Sequence, residues 1–362
     1  MIQTLDLQRL AAIGLSPLML QHLARHELPA ETSASLMRVT EVQRDALQLH
    51  DGHREWPARA LPALLQTLVA QDDALAVGDW LLARRNAFGE WWAEQRLPPL
   101  TQLARRQHDG RDKVSRAVIV SNVDTALLVM GLDLDFNPRR LERYLAAVRV
   151  AGVSAVVVLT KVDLCADAAV RLRELQPLLP ADGALLAVDA RDGAAVRLAL
   201  QPWLGAGRTL VLLGSSGAGK STLTNALLGQ AVQDTGGTRS ADGRGRHTTT
   251  ARSLHTTPEG ACIIDTPGLR TLRLDSESGD VDAVFDDIAR LAPMCRFRDC
   301  RHDDEPGCAV RDAVAPERLR NYRKLLRETE RDTQTALQRK SQLALWKQRS
   351  RQVRAVLRAK RG

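Results

Sequence analysis

Residues 214–221 combine glycines, a lysine and a serine in an order suited to one kind of chemistry. They read Gly-Ser-Ser-Gly-Ala-Gly-Lys-Ser and match the pattern G-x-x-x-x-G-K-[ST] at every specified position. In such a loop the backbone N–H groups surround phosphates, Lys220 reaches the β- and γ-phosphates, and the Ser221 hydroxyl binds Mg²⁺. An apolar run before the loop and a helical pattern after it disfavour a chance glycine-rich turn. The predicted phosphate-binding residues are Gly214, Ser215, Ser216, Gly217, Ala218, Gly219, Lys220, Ser221 and Thr222.

An acidic motif follows the next apolar run. Residues 265–268 read Asp-Thr-Pro-Gly, and D-x-x-G alone is typical of an ordinary turn. Downstream of a phosphate-binding loop it fits an element whose Asp265 lies near Mg²⁺ and whose Gly268 N–H contacts the γ-phosphate. Residues 242–250, between the two motifs, are glycine-rich and basic, which favours a mobile switch loop with Thr249 available for Mg²⁺.

Residues 160–163 follow another predicted strand and bear on the choice of base. The residues Thr160, Lys161, Val162 and Asp163 are predicted to bind the nucleotide base. A carboxylate such as Asp163 accepts hydrogen bonds from N1–H and N2–H₂ of guanine, a donor pair that adenine lacks. The alternatives are an ordinary strand-to-helix turn and an ATP-using P-loop enzyme in which Asp163 plays no part. This segment precedes the phosphate-binding loop, the reverse of the order in ordinary GTPases.

Three cysteines and a histidine lie close together near the carboxyl end of the chain. The ligand set Cys295, Cys300, His302 and Cys308 supplies three thiolates and one imidazole, enough for tetrahedral Zn²⁺. A site with four protein ligands is closed, so a structural role is expected. The alternative, cysteines packed as small hydrophobic residues, conflicts with the charged residues between them. The remaining cysteines, Cys165 and Cys262, are expected in the core.

Length and composition limit the class of protein. A chain of 362 residues is too long for one compact core and predicts two or three domains. Hydrophobic residues make up 44% and charged residues 26%, which is typical of globular proteins. No apolar run is long enough to cross a bilayer, and the first residues do not resemble a secretory signal. We therefore expect no membrane association and a location in the cytoplasm, where cysteines stay reduced.

Hydropathy patterns predict a sequence of domains. Residues 1–35 have a helical pattern, whereas residues 36–104 contain short strand pairs, one around Asp51-Gly52 and one around 86–89, which favour an OB-fold-like β-barrel. Over 105–275, helical stretches alternate with apolar runs that predict strands at 117–120, 126–130, 155–159, 184–188, 209–213 and 261–264, which indicates a mostly parallel α/β sheet. Residues 276–362 are helical and include the cysteine cluster. Four tryptophans in the barrel region are either platforms for stacked bases or, as we favour, core residues: Trp56, Trp80, Trp91 and Trp92.

Positive charge is concentrated at the carboxyl end. From Pro316 to Gly362 there are 15 lysines and arginines against four acidic residues, within a chain of net charge +8. From Arg339 onward nine basic residues occur with no acidic one. Such a segment is either a nucleic-acid contact or a solubilising helix, and charge alone does not separate the two.

Taken with the permuted motif order, the chain resembles the circularly permuted GTPases of the ribosome small-subunit-dependent GTPase A family. The matching segments are 122–124, 160–163, 214–222, 243–250, 265–268, 295–302 and 305–308. The resemblance implies a multidomain α/β protein with an N-terminal OB-fold-like barrel, a circularly permuted P-loop GTPase domain and a C-terminal zinc-binding helical domain. It also implies a monomer that uses GTP/GDP, Mg²⁺ and one structural Zn²⁺. Its implied partners are the small ribosomal subunit and its rRNA, and its implied role lies in late maturation of that subunit.

The chain departs from the family pattern at three points. Thr160 replaces the usual Asn, so one amide contact to guanine is lost, and residues 188–190 read Val-Asp-Ala where Ser-Ala is usual. Leu269 stands where many GTPases have a water-orienting Gln, so slow intrinsic turnover is expected. His247 is the nearest polar candidate for that role, although a surface histidine that contacts only RNA is an equal alternative. The predicted catalytic residues are Lys220, His247 and Asp265. The alternative function is an RNA-binding assembly factor that uses nucleotide as a latch.

Overall fold

The computed structural model describes most residues of the chain. They are 6–25, 34–43, 46–108, 114–180, 183–232, 252–266, 281 and 285–333. Contacts divide the chain into two units, one of Met1–Arg105 with Arg116–Leu274 and the other of Arg106–Ser115 with Asp275–Gly362. The four domain ranges expected from the sequence stay a prediction.

The first unit opens with two short helices and a closed β-barrel. The helices are α1 (Leu7–Ala11) and α2 (Pro17–Ala24), and the barrel elements are β1 (Ser35–Val42), β2 (Leu47–His50), β3 (Glu55–Ala60), α3 (Pro62–Ala70), β4 (Trp80–Arg85) and β5 (Trp91–Arg96). The strand order β1-β2-β3-β5-β4 closes because β4 also pairs with β1. All pairings are antiparallel except β3 with β5. Closure removes free sheet edges, as in an OB-fold.

Both hairpins predicted for this region are present. Asp51-Gly52 lies between β2 and β3, and the turn at 86–89 joins β4 to β5. The helical pattern predicted for residues 1–35 corresponds to α1 and α2, which Gly14 at φ +87° separates, and β1 begins at Ser35. Helix α3 was not predicted, since its run of apolar residues also fits a buried strand.

A mixed sheet follows the barrel and forms the rest of the first unit. A separate two-stranded sheet comes first in the chain and consists of β6 (Gln102–His108) and β7 (Val114–Ser121). The elements of the mixed sheet and its covering helices are β8 (Thr125–Gly131), α4 (Pro138–Val150), β9 (Ser154–Thr160), α5 (Ala168–Leu175), β10 (Ala184–Ala187), α6 (Gly193–Leu200), β11 (Thr209–Leu213), α7 (Lys220–Leu228), β12 (Ser253–Thr256) and β13 (Cys262–Asp265). The strand order is β10-β9-β8-β11-β13-β12, parallel except for β12. Each strand predicted here is present.

The parallel strands are apolar along their length because helices cover the sheet. All five residues of β11 and all seven of β8 are buried. One core cluster joins these strands to the apolar faces of α6 and α7, and it includes Leu127, Val158, Val196, Leu212 and Leu223. The carboxyl ends of five parallel strands therefore meet at one rigid edge, the position where open α/β sheets bind ligands.

The carboxyl-terminal part of the second unit, Asp275–Gly362, has helices as its regular elements where it is described. It contains α8 (Asp286–Leu291), α9 (Ala309–Ala313) and α10 (Pro316–Thr333). Arg318 of α10 donates two hydrogen bonds of 2.8 Å to the carboxylate of Asp287. The rings of Phe285 and Tyr322 meet edge to face with centroids 5.3 Å apart. These contacts hold α10 against α8.

Among the described residues, no helix is both long and apolar enough to cross a membrane.

Candidate functional site

The sheet topology brings the predicted nucleotide motifs to a common edge. The loop that starts at Gly214 follows β11, the segment that starts at Lys161 follows β9, and Asp265 ends β13. Strands β8 and β13 flank β11 on either side, and β9 lies next to β8. Segments that are about fifty and one hundred residues apart in sequence are thus neighbours in space.

The phosphate loop is shaped by glycines whose positions exclude a side chain. A Cβ on Gly214 would lie 2.3 Å from the carbonyl oxygen of Val129 in β8, so only glycine fits there. Gly217 and Gly219 have φ values of +83° and +90°, in the left-handed region that favours glycine. Gly219 also precedes the first residue of α7, so the loop ends at a helix N-terminus, which favours anions.

Lys220 is held inside the loop by backbone carbonyls. Its Nζ donates to the carbonyl oxygens of Gly214 at 3.0 Å and Ser215 at 2.7 Å. Only 8% of the residue is exposed, and burial lowers the pKa of Lys220, opposed by the charges of Asp265 and Asp135. Burial also raises the pKa of Asp265, opposed first by Lys220. The ammonium and the carboxylate therefore stabilise each other's charged forms at this edge.

The base segment is bound directly to the phosphate loop. The buried Thr160 hydroxyl donates to the carbonyl oxygen of Ala218 at 2.6 Å. Lys161, at φ +59°, donates from Nζ to the carbonyl oxygen of Gly217 at 2.7 Å and to Asp133 Oδ2 at 2.6 Å. Where the family pattern has an Asn, the threonine thus forms a link between the two motifs.

Asp163 lies in a short 3₁₀ turn, 162–164, and forms an ion pair. Arg191 Nη2 is 2.8 Å from Asp163 Oδ2 and 2.8 Å from Asp189 Oδ2. Hydrogen bonds from the side chain and backbone of Arg191 lower the pKa of Asp189 to about 2. Ala190, which lies between Asp189 and Arg191 in the chain, is buried.

Two acidic residues outside the predicted motifs, Asp133 and Asp135, also contact them. Asp133 accepts from Lys161, and Asp135 accepts from the Ser215 hydroxyl and, at 2.5 Å, from Arg140. The available signal was their position: residues 133–135, Asp-Leu-Asp, begin two residues after the buried strand β8 ends at Gly131, so they had to lie at the same edge as the phosphate loop.

The other predicted nucleotide residues divide between described and undescribed parts of the chain. Ser216 is exposed in the loop, Ser221 and Thr222 are half-buried in the first turn of α7, and Val162 is half-buried after Lys161. The predictions for His247, Thr249 and Gly268, and for the basic segment 339–362, lie outside the described residues.

The four predicted zinc ligands of the second unit converge. One ligand atom from each of Cys295, Cys300, His302 and Cys308 lies within 4.8 Å of the others. Nδ1 of His302 is 3.6 Å from the sulfur of Cys295 and 3.5 Å from that of Cys308, and those sulfurs are 4.0 Å apart. Tetrahedral zinc with bonds of about 2.0–2.3 Å separates its ligand atoms by roughly 3.3–3.8 Å. The donor set and its spacing therefore fit zinc.

The chemistry of the cluster also favours a cation. Desolvation and the neighbouring thiols of Cys308 and Cys295 raise the pKa of Cys300 to about 11. Three adjacent thiolates repel one another without a positive ion between them. The backbone N–H of Arg311 points at the sulfur of Cys308, 3.4 Å away, and the Glu305 carboxylate accepts N–H bonds from residues 301 and 303 that fix the ligand loop.

In the barrel, the four tryptophans differ in exposure. Trp80 is fully buried, as expected for the core. Trp56 and Trp91 are half-buried with ring centroids 6.2 Å apart, and the guanidinium of Arg85 lies 4.5 Å and 4.9 Å from them. Trp92 is half-buried as well.

Comparisons with known proteins agree with the permuted topology. A family model described as RsgA GTPase matches residues 98–275. A model described as ABC transporter matches residues 200–355, a range that includes the phosphate loop common to P-loop ATPases and GTPases. The crystal structure of YjeQ from Thermotoga maritima matches with a TM-score of 0.59 and 23% identity, covering 82% of this chain and 98% of that one. The crystal structure of YloQ, described as a circularly permuted GTPase, matches with a TM-score of 0.56 and 20% identity over 85% and 99%.

Curated relatives are considerably more similar in sequence. A protein from Xanthomonas oryzae pv. oryzae is 45% identical over 302 residues, which are 82% of this chain and 81% of the relative. A protein from Xylella fastidiosa is 47% identical over 271 residues, 74% of this chain and 79% of the relative. Both are named small ribosomal subunit biogenesis GTPase RsgA. With this identity over most of its length, the chain is a GTP hydrolase that belongs to the RsgA family of circularly permuted GTPases.

Proposed function

We propose that this GTPase binds the small ribosomal subunit and its rRNA in the cytoplasm, assists late maturation of the subunit, and hydrolyses GTP faster when bound to it. The observation that carries the proposal is the 45% identity over 302 residues to a relative named for small-subunit biogenesis. The basic composition of residues 316–362 supports an RNA partner.

Residues of the nucleotide motifs have separate roles in this proposal. Lys220 neutralises charge that develops on the transferred phosphate, and the N–H groups of the loop orient the phosphates before the reaction begins. Asp163 selects guanine. Gly268 contacts the γ-phosphate, Thr249 is available to Mg²⁺, and His247 or a group of the partner orients the attacking water in the complex with the subunit.

Two metals belong to the proposal. Ser221 and Asp265 would hold Mg²⁺, which when bound neutralises phosphate charge. Cys295, Cys300, His302 and Cys308 would hold one structural Zn²⁺, because the four ligands leave no open position for catalysis. One zinc should copurify with each chain, and Cys300→Ala should destabilise the second unit while GDP binding persists. Folded protein that contains no zinc by metal analysis would contradict this assignment.

A second candidate function follows from Leu269. Because leucine cannot orient water, the protein would act as an RNA-binding assembly factor that uses nucleotide as a latch with little hydrolysis. The intact Lys220, Ser221 and Asp265 favour hydrolysis instead.

One experiment separates these functions. Phosphate release from GTP is measured with purified small subunits, with large subunits and with neither. We expect stimulation by small subunits alone. Equal rates of phosphate release in the three reactions would refute the small subunit as the partner. Release no faster than the spontaneous hydrolysis of GTP without protein, in all three reactions, would favour the latch function. Replacing His247 by Ala in the same assay tests the water-orienting role, which full stimulated turnover would contradict.

A further inference from the structure

The guanidinium of Arg191 is fixed against the carboxylate of Asp163. Its Nε donates to Asp189 Oδ1 at 3.0 Å and its Nη2 to Asp189 Oδ2 at 2.8 Å, which is a fork on one carboxylate. The backbone N–H of Arg191 also donates to Asp189 Oδ1 at 3.0 Å. Held in this way, Nη2 donates to Asp163 Oδ2 at 2.8 Å. The guanidinium is therefore oriented by one acid and presented to the other.

The group that Arg191 presents has the same chemistry as the edge of guanine. Guanine offers N1–H and the N2 amino group, two N–H donors on a single carbon, and a guanidinium offers the same arrangement. A carboxylate accepts N–H hydrogen bonds from either group, and Asp163 accepts one such bond from Arg191, that of Nη2 at 2.8 Å. Adenine has no such edge. Asp163 thus already has an internal substitute for the base that the proposed function assigns to it.

We propose that Arg191 is an affinity- and specificity-determining residue of the base site, because its guanidinium competes with guanine for the carboxylate of Asp163. The inference rests on the proposed role of Asp163 as the base-reading residue. A base without the matching donor pair leaves the ion pair in place and gains nothing from Asp163.

The exposure of the pair sets the size of the effect. The side chains of Arg191 and Asp163 are 67% and 32% exposed, so water and salt screen their attraction strongly. Displacing Arg191 therefore costs guanine little. Removing Arg191 should tighten GDP binding by about twofold to fivefold.

The sign of this effect makes the test sharp. Loss of a positive charge near an anion site ordinarily weakens nucleotide binding, whereas loss of a competitor strengthens it. The Kd of a fluorescent GDP analogue and of its ADP counterpart is measured for Arg191→Ala. Arg173→Ala is the matched control, because it removes an exposed arginine of α5 whose Nε donates to the Ala169 carbonyl oxygen. We expect GDP to bind more tightly to Arg191→Ala only, with ADP unchanged. An unchanged or higher Kd for GDP would overturn the inference.

A second variant separates this inference from the proposed function. Asp163→Asn should weaken GDP binding and favour xanthosine diphosphate, whose C2 carbonyl accepts from the new amide. In that background the further change Arg191→Ala should not alter the Kd for xanthosine diphosphate by more than about twofold, because the carboxylate through which Arg191 acts is gone. If Asp163→Asn leaves GDP affinity intact, the base assignment fails and the inference with it. If Asp163→Asn weakens GDP but Arg191→Ala alone does not strengthen it, only the inference fails.

Discussion

The phosphate half and the base half of the nucleotide site are built from different interactions. In the phosphate half, residues 214–221, backbone geometry fixes the loop and Lys220 is 8% exposed. In the base half, residues 160–163 with 188–191, exposed ion pairs surround Asp163. Buried backbone contacts determine one conformation, whereas exposed ion pairs exchange readily with water or with a ligand. We therefore expect the phosphate half to be preformed and the base half to rearrange when nucleotide binds.

The two lysines give the largest test of this difference, because there is one in each half. Lys220→Ala should lower subunit-stimulated GTP turnover by about two to three orders of magnitude, since it removes a buried cation that stabilises developing charge. Lys161→Ala removes hydrogen bonds to Asp133 and the Gly217 carbonyl and should lower turnover at saturating GTP by less than about tenfold.

Phosphate release and GDP affinity, measured for both variants, check this prediction. Equal losses of turnover would show that the halves are not functionally separate. Unchanged turnover in Lys220→Ala would place the catalytic loop elsewhere.

Two glycines of the phosphate loop test how much of that half is fixed by backbone packing. Gly214→Ala brings a Cβ to within 2.3 Å of a carbonyl oxygen in the central strand β8, whereas a Cβ on Gly217 meets nothing within 4 Å. We expect Gly214→Ala to lower the free energy of unfolding by about 3 kcal/mol and to abolish measurable GDP binding. Gly217→Ala introduces only the backbone strain of φ +83° and should lower the free energy of unfolding by about 1 kcal/mol. Denaturant unfolding and GDP titration compare the two, and equal effects would contradict control by packing.

What the sequence could predict follows the same division. The phosphate loop was predictable because its chemistry requires glycines and a lysine at fixed spacing, and because a buried parallel strand and a helix flank it. The cysteine cluster was predictable for a similar reason, since metal geometry restricts ligand type and number. The pattern of apolar runs likewise predicted β8, β9 and β11 within about two residues.

The base half could not be predicted to the same depth. The contact of Arg191 with Asp163 spans 28 positions of the chain and involves exposed side chains, which no periodicity records. Thr160 was predicted as a weakened base contact, and its bond to the Ala218 carbonyl depends on how closely β9 and the phosphate loop approach each other. Helix α3 was missed because its apolar residues satisfy helix and strand patterns alike.

Thr160 gives the smallest expected effect and tests the link between the halves. Thr160→Val keeps the shape of a fully buried side chain but removes the donor to the Ala218 carbonyl oxygen. Loss of a buried hydrogen bond costs about 1 kcal/mol, and more where the remaining group stays unsatisfied. We expect GDP affinity to fall about threefold to tenfold, with a lower free energy of unfolding.

The matched control is Thr224→Val in α7, since the buried Thr224 hydroxyl has no hydrogen-bond partner in the described part of the chain. That change should leave GDP affinity unchanged and keep or raise stability, because it removes an unsatisfied polar group. Equal losses in the two variants would mean that the Thr160 hydrogen bond does not join the halves and that the valine side chain itself causes the effect.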